Sequence, residues 1–523
     1  MSLNTDPTPS HIPRVGGKPS GSLLGPIAGT AFFMAVALAG GYVRDALVAS
    51  QLGTRSSADG YFFGIQFTLA FQALFLLGAL APALVPALRA VAGDRYEFAN
   101  LAKSMFVWVV FATAAASTVL VAIAGPLVGV LGAGLDRSGS LSALAVIQTS
   151  VPMLPFVAAG VTASAILNVR GTFALPAAAW AVSNLATAVL VLPLFRIAGS
   201  GGIGLAWTIG NVLYVGLQIG PLRRAWEGGP WSLRMPAPVR QVFMTLWSIS
   251  GFFAMAQVGA IAERVIAAHL GSGAISQISY AEKLALIPTG VLAGAVSTVI
   301  FPRLSGLAAD RQASNRLLGS SLRVTVSVVT PSCIWLMAFA PLATAAAFQR
   351  GALSGADASG IAHLLPIYAL GTVVLAMATI LVRGLFASGR QRLALRIGVV
   401  NTAFYIALAI LLSKQGIVGL AWAWTTAQVT TALLAAACLR WRPEVGSLAR
   451  SVTLLGWILL ATVAGLLIDR VILALVPIPT GLGRLPATAA LALIAVGTSM
   501  AALLMAPISE SQELRKRFRW HRR

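Results

Sequence analysis

A helix needs roughly 20 mostly apolar residues to cross the hydrocarbon of a bilayer. This chain supplies such stretches one after another, at approximately 23–50, 59–88, 104–132, 141–167, 173–195, 202–221 and 241–268. They continue at 277–302, 324–348, 358–387, 393–413, 416–439, 451–475 and 485–507, with only short polar links between them. Of the 523 residues, 58% are hydrophobic and 10% charged, against about 25% charged in a soluble protein. The pattern predicts an all-α polytopic membrane protein with about 14 transmembrane helices.

A net charge of +22 suggests nucleic acid only if the basic residues share a surface. Here they recur at short intervals between apolar stretches, as the positive-inside rule produces, so no nucleic-acid partner is expected. With a cytoplasmic N-terminus, 26 of the 37 basic residues fall inside, 7 outside and 4 within apolar segments. Shifting the count by one helix destroys that alternation, so both termini are expected in the cytoplasm. Residues 1–22 are rich in Pro, Gly and Ser and read as a disordered cytoplasmic tail. Residues 508–523 read as a basic cytoplasmic tail. The first apolar segment is long enough to span and reads as a retained helix, not a cleaved signal.

The chain repeats itself. GLAW occurs at Gly204–Trp207 and again at Gly419–Trp422, 215 residues on. Val85–Arg95 matches Phe301–Arg311 at an offset of 216, and Leu52-Gly53 matches Leu270-Gly271 at 218. The last match sets Asp45 opposite Glu263. The spacing covers six helices, an even number, so the copies share one orientation, a parallel repeat known among transporters. The expected organisation is an N-lobe of six helices (23–225), a C-lobe of six (226–445) and a C-terminal pair (446–507).

Ionisable residues inside apolar segments are costly and by default mark function. The basic ones are Arg44, Arg264, Lys283 and Arg383, and the acids are Asp45, Asp59, Glu263 and Glu282. Most fall in adjacent pairs of opposite sign: Arg44-Asp45, Glu263-Arg264 and Glu282-Lys283. Neighbours on a helix point about 100° apart, so each can bond its neighbour, reach another helix or face a shared cavity. Two readings stand. In one these are structural pairs near helix ends with snorkelling side chains, Asp59 being a cap for the second helix. In the other, the first, seventh and eighth helices present charge to one central water-filled space. Gly40-Gly41, Pro82, Pro86, Pro288 and Pro302 permit bending near these residues.

No catalytic constellation is present: no Ser–His–Asp set, no phosphate-cradling loop with Lys and no His/Cys cluster. Cys333 and Cys438 lie far apart in apolar stretches and read as small hydrophobes. A non-enzymatic protein without metal or organic cofactor is expected.

The stretch GGYVRDALVASQLG…SADGYFF resembles the first two helices of the MurJ/MviN family, which read GFxRDxLxAxxxGxxxxADAFFxA. The resemblance continues in Ile278–Ser305, where the family has YYADRLMxxPxGVLGxAxGTxxLPxLS, and in Phe348–Ala358 and Val382–Asn401. It implies fourteen helices in two six-helix lobes around a central cavity, with a final pair lining a groove for a lipid tail. It further implies a flippase of the multidrug/oligosaccharidyl-lipid/polysaccharide superfamily in the bacterial inner membrane. Such a protein carries an undecaprenyl-diphosphate-linked glycan precursor between leaflets by alternating access, here expected as a monomer among membrane lipids.

By motif, Arg44 and Asp45 match the family's RD pair and Asp59 its AD acid, while Glu282 and Lys283 replace its Asp-Arg pair. Taking these motifs together with the other charges in apolar segments, Arg44, Lys283 and Arg383 are expected to meet the diphosphate, and Asp45, Asp59, Glu263, Arg264 and Glu282 to supply cavity charge or ion coupling. A coupling cation or the membrane potential would supply the energy. The chain departs from the family at Leu38, Gln72, Ala73, Leu77 and Leu286, each standing where the family carries a charge. Those losses favour lipid II's relatives, such as an exopolysaccharide unit, as cargo. The alternatives are a drug/cation antiporter of the same fold and a non-transporting scaffold.

Overall fold

Apolar runs closed by acids, glycines and prolines fold here as the helices their spacing predicts. In the computed structural model the described residues are 24–73, 80–227, 237–290, 310–439, 445–475 and 484–505, and no strand occurs among them. The two expected tails, Leu77, Pro302 and the later part of the expected eighth segment lie outside the described residues.

The first segment is one helix, α1 (Leu24–Leu52), and the second holds α2 (Ser56–Gln72) and α3 (Leu80–Ala90) on either side of residues 74–79, which are outside the described ones. The third and fourth are divided, into α4 (Arg95–Ala122) and α5 (Ala124–Leu131), then α6 (Arg137–Ser150) and α7 (Met153–Val169). Pro152 sits at the second break, where its missing N–H cannot continue the ladder. Next come α8 (Ala174–Ala225), α9 (Ala237–Ala268), α10 (Ala274–Ala285), α11 (Arg311–Ala338) and α12 (Ala340–Phe348). The chain continues with α13 (Gly355–Ala387), α14 (Gln391–Leu412), α15 (Gly416–Leu439), α16 (Val445–Leu475) and α17 (Arg484–Met505).

Among the described residues nine helical stretches are long and apolar enough to cross a membrane. Two are of double length, Ala174–Ala225 with 52 residues and Gln391–Leu439 with 49. The first contains non-helical backbone at Ala198 (φ −134°, ψ 19°) and Gly199 (φ 55°, ψ −137°). A Cβ on Gly202 would lie 1.9 Å from the Leu194 carbonyl oxygen, although residues eight apart in a straight helix are about 12 Å apart. The chain therefore doubles back, giving the separate fifth and sixth segments expected from the sequence.

Gly416 (φ 67°, ψ −151°) does the same between α14 and α15, and a Cβ on Gly419 would lie 1.9 Å from the Leu412 oxygen. Glycine is required at both turns because L side chains disfavour a left-handed φ. The caps repeat as well. Asp94 accepts from the amides of Tyr96 and Glu97 (2.8 and 3.0 Å) at the start of α4. Asp310 accepts from those of Gln312 and Ala313 (both 3.0 Å) at the start of α11. Matching turns and caps thus stand where the sequence repeat aligns.

In the first part of the chain α1 packs on α8, α2 on α6, and α4 and α8 on α7. In the second, α13 packs on α11 and α15, and α14 on α9 and α15. The pair α16–α17 leans on α11. Among the described residues α10 contacts both α2 and α13, and α9 contacts α2, α3 and α14, so both lie at the junction. A buried apolar cluster reaches across that junction from Leu52, Phe62 and Phe63 to Tyr280, Phe348 and Tyr368.

Candidate functional site

Arg44-Asp45 and Glu263-Arg264 bond within themselves and also reach α10, whereas Glu282 and Lys283 of α10 bond only across to those helices. Arg44 Nε and Nη2 both lie 3.1 Å from Asp45 Oδ1. Asp45 Oδ2 meets Lys283 Nζ from α10 at 2.9 Å. Arg264 donates through Nη1 to Glu263 at 2.6 Å and through Nη2 to Glu282 of α10 at 2.8 Å. Tyr368 of α13 donates to the other oxygen of Glu263 at 3.1 Å. Two triads result: Arg44–Asp45–Lys283 carries a net single positive charge, and Glu263–Arg264–Glu282 a net single negative one. The consecutive residues Glu282 and Lys283 give α10 a member in each.

Burial sharpens the arrangement. Glu263 and Arg264 side chains are 2% and 6% exposed, and Arg44 and Asp45 10% and 13%. Lys283 retains 31% and Glu282 24%, so α10 shows its charges to space while the other members stay enclosed. Buried charges must be paired and hydrogen-bonded to be tolerated. Both triads satisfy that, although Arg264 Nε, closed off from solvent, has no hydrogen-bond partner among the described residues.

Aromatic faces back the basic triad. The Arg44 guanidinium lies 3.9 Å from the ring centroid of Trp207, and Lys283 Nζ 5.0 Å from that of Phe62. Trp207 donates its indole N–H to the Tyr61 hydroxyl at 3.3 Å.

Glu263, Glu282 and Arg383 share the wall of a cavity of about 400 Å³ between α9, α10, α13, α14 and α15. Tyr405, Trp424, Phe252 and Phe386 also line it, as do Asn401 and Gln428. The Asn401 Oδ1 there has no hydrogen-bond partner among the described residues. Arg44, Asp45 and Lys283 do not line this cavity. Of the charges expected around one central space, this cavity takes Glu263, Glu282 and Arg383. Asp45 draws Arg44 and Lys283 together on one side of α10, while Arg264 draws the acids to the other.

Asp59 joins neither triad. Its carboxylate, buried in a residue 3% exposed, accepts from the amides of Gly273 (2.6 Å) and Ser276 (2.7 Å). Asp59 therefore caps α10, not the helix that carries it. The same end of the bundle is held by Ala352 N to Ser50 O at 2.8 Å, Ser56 Oγ to Ser272 Oγ at 2.8 Å, and Thr54 with Asp357. Tyr280 adds a bond to Gly53 O at 3.3 Å. Asp45 lies seven residues from the end of α1, so the basic triad sits roughly 10 Å beneath this clasp.

Sequence reasoning passed over Trp207, Phe62, Tyr368 and Asp469. GLAW was visible as a repeat, but nothing in it told which way its indole faces. Asp469 had a signal: Asp469-Arg470 is another adjacent pair of opposite sign inside an apolar segment. Asp469 is 0% exposed, accepts from Trp335 Nε1 at 2.9 Å, and its Oδ1 has no partner.

The lipid II flippase MurJ family matches residues 48–478. The chain belongs to that family. The lipid II flippase MurJ of Burkholderia cenocepacia is 30% identical over 365 residues, covering 66% of this chain and 70% of that protein. A probable lipid II flippase MurJ of Vibrio cholerae is 25% identical over 417 residues, covering 73% and 76%. Among solved structures, a lipid II flippase MurJ in an inward closed conformation superposes with a TM-score of 0.71 at 18% identity, covering 91% of this chain and 98% of that one. An inward-facing MATE multidrug transporter of the MOP superfamily superposes at 0.65 and 12% identity, covering 78% and 98%. These likenesses show the transporter fold, and the family is one of non-catalytic membrane transporters.

Proposed function

We propose that this chain flips an undecaprenyl-diphosphate-linked glycan precursor, lipid II or a related cell-wall or exopolysaccharide unit, by alternating access. The cargo passes from the cytoplasmic to the periplasmic leaflet of a bacterial inner membrane, with both termini cytoplasmic and the chain acting as a monomer. The observation that carries the reading is the Arg44–Asp45–Lys283 triad at the junction of the halves, in a chain whose family match spans residues 48–478.

The chemistry fits a diphosphate. Arg44 Nη1 makes no hydrogen bond among the described residues, and Lys283 has one ionic partner. Charge-assisted bonds to phosphate are about twice as strong as neutral ones, so an arriving diphosphate competes with Asp45 for both cations. Arg383 supplies a further positive charge in the cavity across α10. A triad of net charge +1 suits a diphosphate linked to a neutral glycan better than one bearing a further acidic stem. Leu38, Gln72, Ala73 and Leu286, which stand where the family carries charges, point the same way.

The coupling ion belongs at Glu263. Asp45 is shared by two cations and Asp59 by two amides, whereas Glu263 shares one cation, Arg264, with a second acid, Glu282, and both acids line the cavity that holds Asn401. A unit charge crossing 100 mV is worth about 2.3 kcal/mol, enough to bias one leaflet over the other.

The test is depletion of the protein in its host, with lipid-linked glycans counted in each leaflet by an impermeant label. Undecaprenyl-diphosphate-linked material should accumulate inside, and Arg44→Ala should not relieve it. Equal leaflets after depletion would overturn the flippase reading. Which glycan accumulates separates lipid II from an exopolysaccharide unit.

A further inference from the structure

We propose that Trp207 is a positioning residue for the diphosphate site. It fixes the Arg44 guanidinium by its ring face and so leaves a hydrogen-bonding edge of that guanidinium for an anionic head group. The inference rests on the reading that Arg44 meets a diphosphate, and deepens it.

Trp207 is itself held firmly. A Cβ on Gly204, one turn earlier, would lie 2.2 Å from Thr149 Oγ1 and 3.1 Å from the Val146 oxygen. Glycine there lets the second half of α8 lie against α6. Thr208 donates to the Thr149 carbonyl at 2.6 Å, Asn211 to the Trp207 carbonyl at 2.9 Å, and Trp207 to Tyr61 at 3.3 Å. Tyr61 is wholly buried. Both the backbone and the indole plane are therefore set before any ligand arrives.

The face then acts on Arg44. At 3.9 Å from the ring centroid the guanidinium is in cation–π contact, and its Nε and Nη2 are turned to Asp45. An aromatic face attracts the cation without accepting hydrogen bonds from its edge. A second acid in the place of Trp207 would hold Arg44 equally well, but it would occupy that edge and cancel the net positive charge of the triad. Lys283 against Phe62 follows the same design at a longer 5.0 Å. Each cation of the triad thus has one acidic partner, which is the shared Asp45, and one aromatic one.

The full chain in detergent is titrated with farnesyl diphosphate and with farnesol. Wild type should prefer the diphosphate. Trp207→Leu should weaken diphosphate binding about fivefold to tenfold and leave farnesol binding unchanged, while Trp207→Phe, which keeps a ring face, should recover most of the loss. In an Arg44→Ala background Trp207→Leu should add nothing, since the indole acts through Arg44. Trp422→Leu, at the repeat-equivalent and 42% exposed position, serves as the control and should change neither ligand. If Trp207→Leu does not fold, Tyr61→Phe removes only the hydroxyl that orients the indole and should give a smaller loss, again absent without Arg44.

Equal losses in Trp207→Leu and Trp207→Phe, or a loss that persists without Arg44, would overturn the positioning role while the cargo reading stands. A wild type that binds both ligands alike would overturn both.

Discussion

Asp45 holds two cations with one carboxylate, an oxygen to each. Removing one member of a buried ion cluster costs more than the cluster contributes, about 3–5 kcal/mol, because the remaining charges are left without compensation. Asp45→Asn should therefore lower the melting temperature sharply, and Asp45→Asn with Lys283→Met should recover part of it by removing the second cation. The sequence made these residues visible, since charges inside apolar segments are rare. Their partners were not visible, because adjacency along a helix leaves both directions open: Arg44-Asp45 and Glu263-Arg264 took both, and Glu282-Lys283 only the outward one. Asp469 is the counterexample, a charge in an apolar segment that sequence reasoning did not single out. Asp469→Asn keeps an acceptor for the Trp335 indole and should be nearly silent in a thermal melt. Asp469→Leu strands that N–H and should cost about 1–3 kcal/mol.

Helix breaks and caps were legible where local chemistry decides them. Asp94 and Asp310 cap the following helices with the same pair of bonds, and Gly199 and Gly416 turn the chain in the same left-handed way. Asp59 was legible only as a cap near a helix start; that it caps α10 across the junction depends on tertiary packing that no local pattern carries. Ser56 and Ser272 lie 216 residues apart in sequence and 2.8 Å apart in space. Cysteines at both positions should crosslink under mild oxidation and stop transport, and reduction should restore it. An uninhibited crosslinked protein would show that this end need not open. Asp59→Ala, which strips two amides of their acceptor, should make the Ser276→Cys thiol react faster with an impermeant maleimide.

Across the whole molecule, the repeat in the sequence foretold matching turns and caps but not the division of charge. One side of α10 carries a net positive triad and the other a net negative one, and consecutive residues of α10 belong to both. Exchanging them, Glu282→Lys with Lys283→Glu, conserves composition and reverses both triads. Transport should be abolished in a flux assay while the total charge and the expression level stay the same. A swapped protein that transports would show that only the sum of these charges matters. The nine apolar stretches follow from hydropathy alone. The place of the cavity does not, because it depends on which helix faces meet, and residues such as Asn401 and Gln428 look like ordinary polar interruptions in the sequence.

The clasp above the triads has one consequence for the medium it meets. Its bonds join serines, a threonine, a tyrosine and backbone groups, and its buried carboxylate, Asp59, faces two amides, while the outer one, Asp357, bonds hydroxyls and an amide with the Arg55 charge nearby. Dissolved ions screen charge–charge attraction between exposed groups over about 10 Å at 0.1 M, but they leave short contacts between a carboxylate and an amide almost untouched. The Asp59 contacts that tie α2 to α10 should therefore hold nearly as well in brine as in fresh water.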